Sequence, residues 1–356
     1  MVDVPDGLKV TAAWAWRLLV VAAALAGFSW LLAEFSGVTV PLAIALLLVA
    51  LLDPLVRRLR ALGTPPVLAS LMALLALVLV IVGIFVMIGT QVASQSSSLA
   101  DQTLKGVEQL MGWLSSGPLH LDPAQIDGWI DQLTTWVSNS RADIASYLGR
   151  VGGQLGHFLA GTAIALVAAF FFGYDGQRMW ASFTGWLPEE ARAKTYEAGR
   201  RGWESLVSYM RATVLVSLVD ALGVLLAALV LGLPLPWALF ALTWIASFVP
   251  ILGAVTAGFV AVVLALVTHG WVSALLMLGA VVLVMELESH FLQPILLSRA
   301  VKIHPLAVLL GIAVGSAMSG IVGALMAIPV VAFMSAVISS LRSHAPQPVV
   351  IDESSS

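Results

Sequence analysis

Three acidic side chains stand inside sequence that is otherwise apolar: Asp220, Glu286 and Glu288. A carboxylate at membrane depth is costly, so it serves an ion or proton pathway or hydrogen-bonds a neighbouring helix. Asp220 lies nine residues past Arg211, so about 14 Å further along a helix. With Arg211 snorkelling to the inner interface, Asp220 sits near the bilayer midplane. Glu286 and Glu288, two apart, point to nearly opposite helix faces, so at most one faces a pathway. Each also has a plain alternative, a carboxylate at the interface paired with Arg299 or Lys302. His304 precedes Pro305; it either titrates in proton coupling or sits at the interface as a helix-start residue.

Two breaks offer further polar groups. Ser247-Phe248-Val249-Pro250-Ile251-Leu252-Gly253 interrupts the apolar run from Trp237 to Val267. Proline removes a backbone donor and glycine permits unusual dihedrals. In hydrocarbon the freed backbone groups need partners, so such a break survives where it is buried in protein or lines a wet cavity. Broken intramembrane helices of this kind are typically where transporters hold cargo; the alternative is a plain proline kink of the sort many membrane helices carry. The second break is Gly315-Ser316-Ala317-Met318-Ser319-Gly320, with Gly323 and Pro329 beyond it. Ser247, Ser316 and Ser319, with the freed carbonyls and amides, can replace the hydration shell of an ion or sugar. Alternatively, each bonds its own helix backbone.

The elements that hold these groups follow from composition. Of 356 residues, 60% are hydrophobic and 10% charged, and mean hydropathy is +0.99; this excludes a soluble globular protein. The net charge of −3, with no basic cluster, gives no footprint for nucleic acid. The chain has no cysteine, which excludes disulfides, iron–sulfur clusters and thiol catalysis. Its histidines show no metal-ligand spacing. Arg17 with Leu18 to Ala26 resembles a signal peptide, but Met1 to Val10 carries two aspartates and one lysine, a poor leading region, and more membrane follows. It reads as the first retained span.

Full spans are expected at Arg17–Phe35, Val38–Leu55, Val67–Thr90, Leu155–Gly173, Leu206–Gly232 and Trp271–Leu287. Two longer stretches, Pro236–Thr268 and Pro305–Ser340, complete eight hydrophobic segments. As single helices they would run about 50 Å against a hydrocarbon core of about 30 Å. With a break near the middle, each reads as a re-entrant helical hairpin of two short arms. Arg57, Arg58 and Arg60 follow the second span; Arg178, Arg192, Lys194, Arg200 and Arg201 follow the fourth. Both groups belong in the cytoplasm, and so does the N-terminus. Re-entry of both hairpins also keeps Arg299, Lys302 and Arg342 inside. The two span-plus-hairpin units are then related by inverted topology, as in secondary transporters.

The fold class is therefore an all-α polytopic membrane protein with about six transmembrane helices and two re-entrant hairpins. Residues 1–90 hold the first three spans, and 91–153 form an outer amphipathic α-hairpin. Its apolar stripes are Val92, Leu99, Val107, Leu110, Leu114 and then Ile126, Ile130, Leu133, Val137, Ile144, Leu148. They join through a turn at Gly117–Pro123. Residues 154–205 hold the fourth span and a charged cytoplasmic linker with a helix start at Pro188-Glu189-Glu190. Residues 206–340 form the transport core, and 341–356 a disordered cytoplasmic tail.

The first break resembles the P-x-x-G signature of the AI-2E (autoinducer-2 exporter, PerM-like) transporters. Glu288, Pro294, His304-Pro305, Gly315, Gly320, Gly323 and Pro329 follow in the order and spacing of that family. Leu52-Asp53-Pro54-Leu55-Val56-Arg57-Arg58 is similar to its second-span exit, and Asp220 within Leu218–Gly223 to its fifth span. The resemblance covers nearly the whole chain outside 91–153. It departs at Ser247, where many members carry asparagine; if that position binds cargo, the cargo differs. The resemblance implies a multi-pass exporter of the bacterial inner membrane that forms ring-like homo-oligomers such as pentamers. Some members are linked to autoinducer-2, others to sodium or lithium in exchange for protons. It selects Glu288 over Glu286 for the pathway.

The expected function is an ion-gradient-driven secondary transporter for a small polar solute or monovalent cation. No cofactor or metal is expected. The pathway residues are Asp220, Ser247, Pro250, Gly253, Glu288, Pro294, Ser316, Ser319 and Gly320, with Asp220, Glu288 and His304 placed for proton coupling. A passive channel or lipid translocator is the alternative. An intramembrane enzyme fits least: there is no H-E-x-x-H or G-x-S-G, and no G-x-G-D follows Tyr174-Asp175.

Overall fold

The structure, a computed structural model, describes residues 6–116, 156, 158–248, 252–292 and 305–343. No strand occurs among them. The helices are α1 (Asp6–Glu34), α2 (Ser36–Ala61) and α3 (Pro66–Ser116). They continue with α4 (Phe158–Gly185), α5 (Glu189–Val230), α6 (Pro236–Ala246) and α7 (Leu252–His269). The last are α8 (Trp271–Leu287), a π turn at Glu288–Leu292, and α9 (Pro305–Ser343). The all-α polytopic architecture read from hydropathy is the one observed. Described helices long and apolar enough to cross a membrane are Ser36–Ala61, Pro66–Gln95, Phe158–Gly185, Glu189–Val230, Trp271–His290 and Val322–Ser340.

The interior is built from small side chains. Ala45, Ala50, Ala69, Ala221, Ala228 and Ala261 are fully buried, whereas Leu79, Phe85, Leu226 and Leu283 are exposed. This inverts the soluble pattern, because lipid is as good a solvent for leucine as another leucine. Close backbone approach through small residues then holds the helices together.

Both long apolar stretches fold back on themselves. In the first, Leu239 of α6 packs in one buried cluster with Ala261 and Ala265 of α7. An unbroken helix would hold Leu239 and Ala261 about 33 Å apart. In the second, hydrogen bonding is helical from Pro305 to Ser343, yet Gly320 adopts φ +58° and the chain reverses there. Gly311 meets Val331, and Gly315 lies against the Gly323 carbonyl. The arms are unequal: Leu306–Ala317 is short, but Val322–Ser340 is long enough to cross by itself.

A side chain at Gly315 would occupy the place of the Gly323 carbonyl, so Gly315→Leu should force the arms of α9 apart. The melting temperature of the purified protein should fall by about 5 °C or more. Gly279, with nothing near it, is the control, and Gly279→Leu should melt like the parent. Equal melting of both variants would mean that the arms are not in contact.

Two helices overrun the membrane. No proline follows Pro66 within α3, so the helix continues through the domain boundary expected at residue 91. At about 1.5 Å per residue it reaches about 76 Å. The first apolar stripe, Val92 to Leu114, therefore belongs to α3. The turn at 117–123 and the second stripe, Ile126 to Leu148, lie outside the described residues, as do 344–356 of the tail. The linker expected at Asp175–Glu204 is helical: α4 runs on to Gly185, and α5 starts after Pro188 with Glu189 and Glu190 in its first turn. Trp180 of α4 donates to the Tyr196 carbonyl of α5 at 3.3 Å, and Gly199 leaves space for its ring. Glu197 bridges Arg200 and Arg201 at 2.7 and 2.9 Å before α5 enters apolar sequence. Arg60, at the end of α2, donates to the Gly173 carbonyl of α4 at 2.9 Å.

Candidate functional site: a carboxylate cavity at the first helix break

One face of α5 is buried through Ser217, Asp220, Ala221 and Val224. Ser217 donates to the Val214 carbonyl within the helix, so it leaves Asp220 as the polar group that faces outward from this stripe. Gly223, one turn on, faces α8, where a Cβ would press into Val284. Gly258 of α7 does the same against Val281. These two glycines let α5, α7 and α8 approach closely, and they bring the end of α8 to Asp220. There the helix passes into the π turn at Glu288–Leu292. A π turn inserts one residue and re-aims the side chains around it, which is why such turns recur at functional sites.

A cavity of about 20 Å³ results, lined among others by Asp220, Thr243, Ser247, Glu288, Val281 and Val284. It has room for about one water molecule. Asp220 is 6% exposed, and its Oδ1 is buried without a hydrogen-bond partner. The Ser247 hydroxyl is also buried and unpartnered; it lies beside the Asp220 carboxyl but short of hydrogen-bond geometry. Thr243, one turn earlier on α6, donates to the Leu239 carbonyl at 2.8 Å. Glu288 lines the same cavity as Asp220.

A buried carboxylate with an unsatisfied oxygen needs a proton, a cation or a donor. The polar side chains that line the cavity, Asp220, Thr243, Ser247 and Glu288, carry oxygens, which suit a proton or a hard cation. Among the described residues no group of three or more histidines or carboxylates stands ready for a metal ion.

Of the residues singled out in the sequence, Asp220, Ser247 and Glu288 come together here. Gly253 is buried at the first break, where the Ala246 carbonyl fills the place its Cβ would take. Ser316 is exposed, bonds its own backbone at Ile312 (2.7 Å) and does not line the cavity. Gly320 makes the bend in α9. Ser319 lies in α9, but its side chain is outside the described residues, as are Pro250, Pro294 and His304. Glu286 faces away from Glu288: it is exposed and meets His290 at 3.1 Å. Sequence reasoning missed Thr243 and the packing role of Gly223 and Gly258. Thr243 stands four residues before Ser247, and Gly223 three after Asp220; both spacings keep one helix face.

The sequence profile of the AI-2E family transporters matches residues 18–343. The chain is 38% identical to a candidate transport protein of Mycobacterium tuberculosis, over 98% of this chain and 95% of that one. It is 24% identical to the AI-2 transport protein TqsA of Escherichia coli, over 83% of each chain. Another candidate transport protein, YueF of Bacillus subtilis, is 24% identical over 83% of this chain and 82% of its own. The matched span includes every helix that builds the cavity, and the chain belongs to the AI-2E transporter family.

Proposed function

We propose that this multi-pass membrane transporter is a secondary carrier whose coupling ion occupies the cavity between Asp220 and Glu288. The observation that carries the reading is Asp220 itself: a buried carboxylate, one oxygen unpartnered, at the break of a transmembrane hairpin. The ion is a proton or a monovalent cation. The cargo is a small polar solute such as autoinducer-2, the molecule in the name of the Escherichia coli relative, or the cation itself in exchange for protons. Export from a bacterial cytoplasm across the inner membrane, with both termini inside, agrees with the arginine distribution. Assembly as a homo-oligomer belongs to the same reading.

A cavity of about 20 Å³ is too small for a sugar-sized solute. The described conformation therefore suits a closed step, and solute passage needs the broken hairpins to move apart, as in alternating access. Pro250 and Gly253 keep α6 and α7 from joining into one helix. Pro294, Ser316, Ser319 and Gly320 belong to the proposed pathway through the second half of the core, and His304 joins Asp220 and Glu288 in proton coupling. Ser247 takes the part of a cargo or ion ligand. No chemical conversion of the cargo is involved.

Counterflow in proteoliposomes tests the carrier. Preloading with unlabelled solute, or with lithium or sodium, should accelerate uptake of the labelled species several-fold, and uptake should saturate. An imposed pH gradient should drive net flux. Unsaturable flux, unaffected by preloading, would replace the carrier with a passive channel.

A further inference from the structure

The outer end of α6 is not a self-sufficient helix start. Its N-cap, Leu235, sits in the left-handed region at φ 59°, ψ 39°, and offers no side-chain cap. It is the one non-glycine residue with positive φ among those described. Pro236, the first helical residue, has no N–H to satisfy, and Leu239 donates to the Leu235 carbonyl. The Ala238 N–H finds its acceptor on a different helix: Gln91 Oε1 of α3, at 3.0 Å. The contact is part-buried, and α3 packs along both α6 and α7. Gln91 stands where the apolar run of α3 ends, four residues before the limit of its membrane-crossing stretch at Gln95.

At its other end, α6 carries the site. Thr243 and Ser247 lie about 8 and 14 Å along the helix from Ala238. An 11-residue helix is too short to bend appreciably, so a pin at Ala238 fixes its depth and rotation, and with them those two hydroxyls. Removing the pin would also leave a half-buried N–H without an acceptor, beside a backbone already held in an unfavourable conformation.

We propose that Gln91 is a positioning residue of the transport site: its Oε1 anchors the start of α6 to α3 and so holds Thr243 and Ser247 at the Asp220 cavity. The inference rests on the reading of that cavity as the coupling-ion site, but the anchor itself can be read without transport. A reporter cysteine is available because the chain has none of its own. Leu239, 3% exposed in the cluster between α6 and α7, is next to the anchored amide and suits this use.

The experiment compares Gln91→Leu and Gln91→Glu, each with and without Leu239→Cys, in liposomes. An impermeant maleimide applied to both faces reads the anchor, and the half-saturation for sodium, lithium or protons reads the site. With Gln91→Leu, labelling should be faster and half-saturation weaker, each by about fivefold, the scale of one lost hydrogen bond. The maximal rate should change less. Gln91→Glu keeps an acceptor oxygen and should stay near the parent in both readouts. A residue that only supports the fold would lower yield or melting temperature, with labelling and half-saturation unchanged in the folded fraction; that result overturns the proposal. Faster labelling with unchanged half-saturation overturns the link to the site. If the cavity is no ion site, the parent itself will show no saturable ion dependence, and that failure is separable from the labelling result.

Discussion

Replacing Asp220 with asparagine should abolish ion-coupled transport while the protein still folds. The substitution is nearly isosteric, so the fit of α5 against α6 and α8 stays. What it removes is the charge and the ability to take up and release a proton. Asp220 is buried, its Oδ1 lacks a hydrogen-bond partner, and Glu288 lines the same cavity. Among the described residues no arginine or lysine lines the cavity, so the substitution strands no cation among them. Coupled flux should drop by about a hundredfold, the scale on which removal of a buried charged group acts on its ligand, and its pH and cation dependence should vanish. Solute counterflow, which needs only the exchange of faces, should survive in part. Glu288→Gln should cost less, about tenfold, since Glu288 is only half-buried and its charge is screened from one side. If Asp220 instead serves only to bond a neighbouring helix, asparagine protein will assemble poorly, and whatever folds will couple normally. Well-assembled asparagine protein with parental pH and cation dependence would remove Asp220 from the mechanism.

How these residues were legible in the sequence depends on the kind of physics that marks them. Asp220 and Glu288 announce themselves by the cost of a charge in apolar surroundings, and Ser247 by its place in a Pro–Gly break. Excess length announces the two folded-back stretches: about 50 Å of apolar helix does not fit about 30 Å of hydrocarbon. Their convergence was not legible. It depends on Gly223 against Val284, a contact between helices far apart in the chain, on Gly258 against Val281, and on the π turn that starts at Glu288. Helix ends were read less well than membrane ends. Polarity tells where α3 and α5 leave the lipid, but polar residues such as Gln91 or Glu197 propagate a helix well. With no proline to stop them, both helices continue into water. At Ser316 the sequence left two readings side by side, a pathway group or a hydroxyl bonded to its own helix, and the hydroxyl donates to its own backbone at Ile312.

The tightest point of the first break gives the second large effect. Gly253, the second residue of α7, is buried with the Ala246 carbonyl, the end of α6, where its Cβ would be. A side chain in the way can rotate aside; a backbone carbonyl at a helix end cannot move without its helix. Even Gly253→Ala should therefore push the two arms apart. Its stability cost should be about 1–3 kcal/mol, as for other overpacked interiors, and the displaced Ser247 should reduce transport about tenfold or more. Gly258→Ala provides the comparison, because its new methyl meets only the Val281 side chain, which can shift by a few tenths of an ångström without moving a helix end. It should lose less in both melting temperature and flux. The order matters more than the sizes. Parental melting and transport for Gly253→Ala, or a larger loss for Gly258→Ala, would mean that the arms of the break are not held together at Ala246 and Gly253. The break would then be a loose connection and not the hinge that sets Ser247 against Asp220.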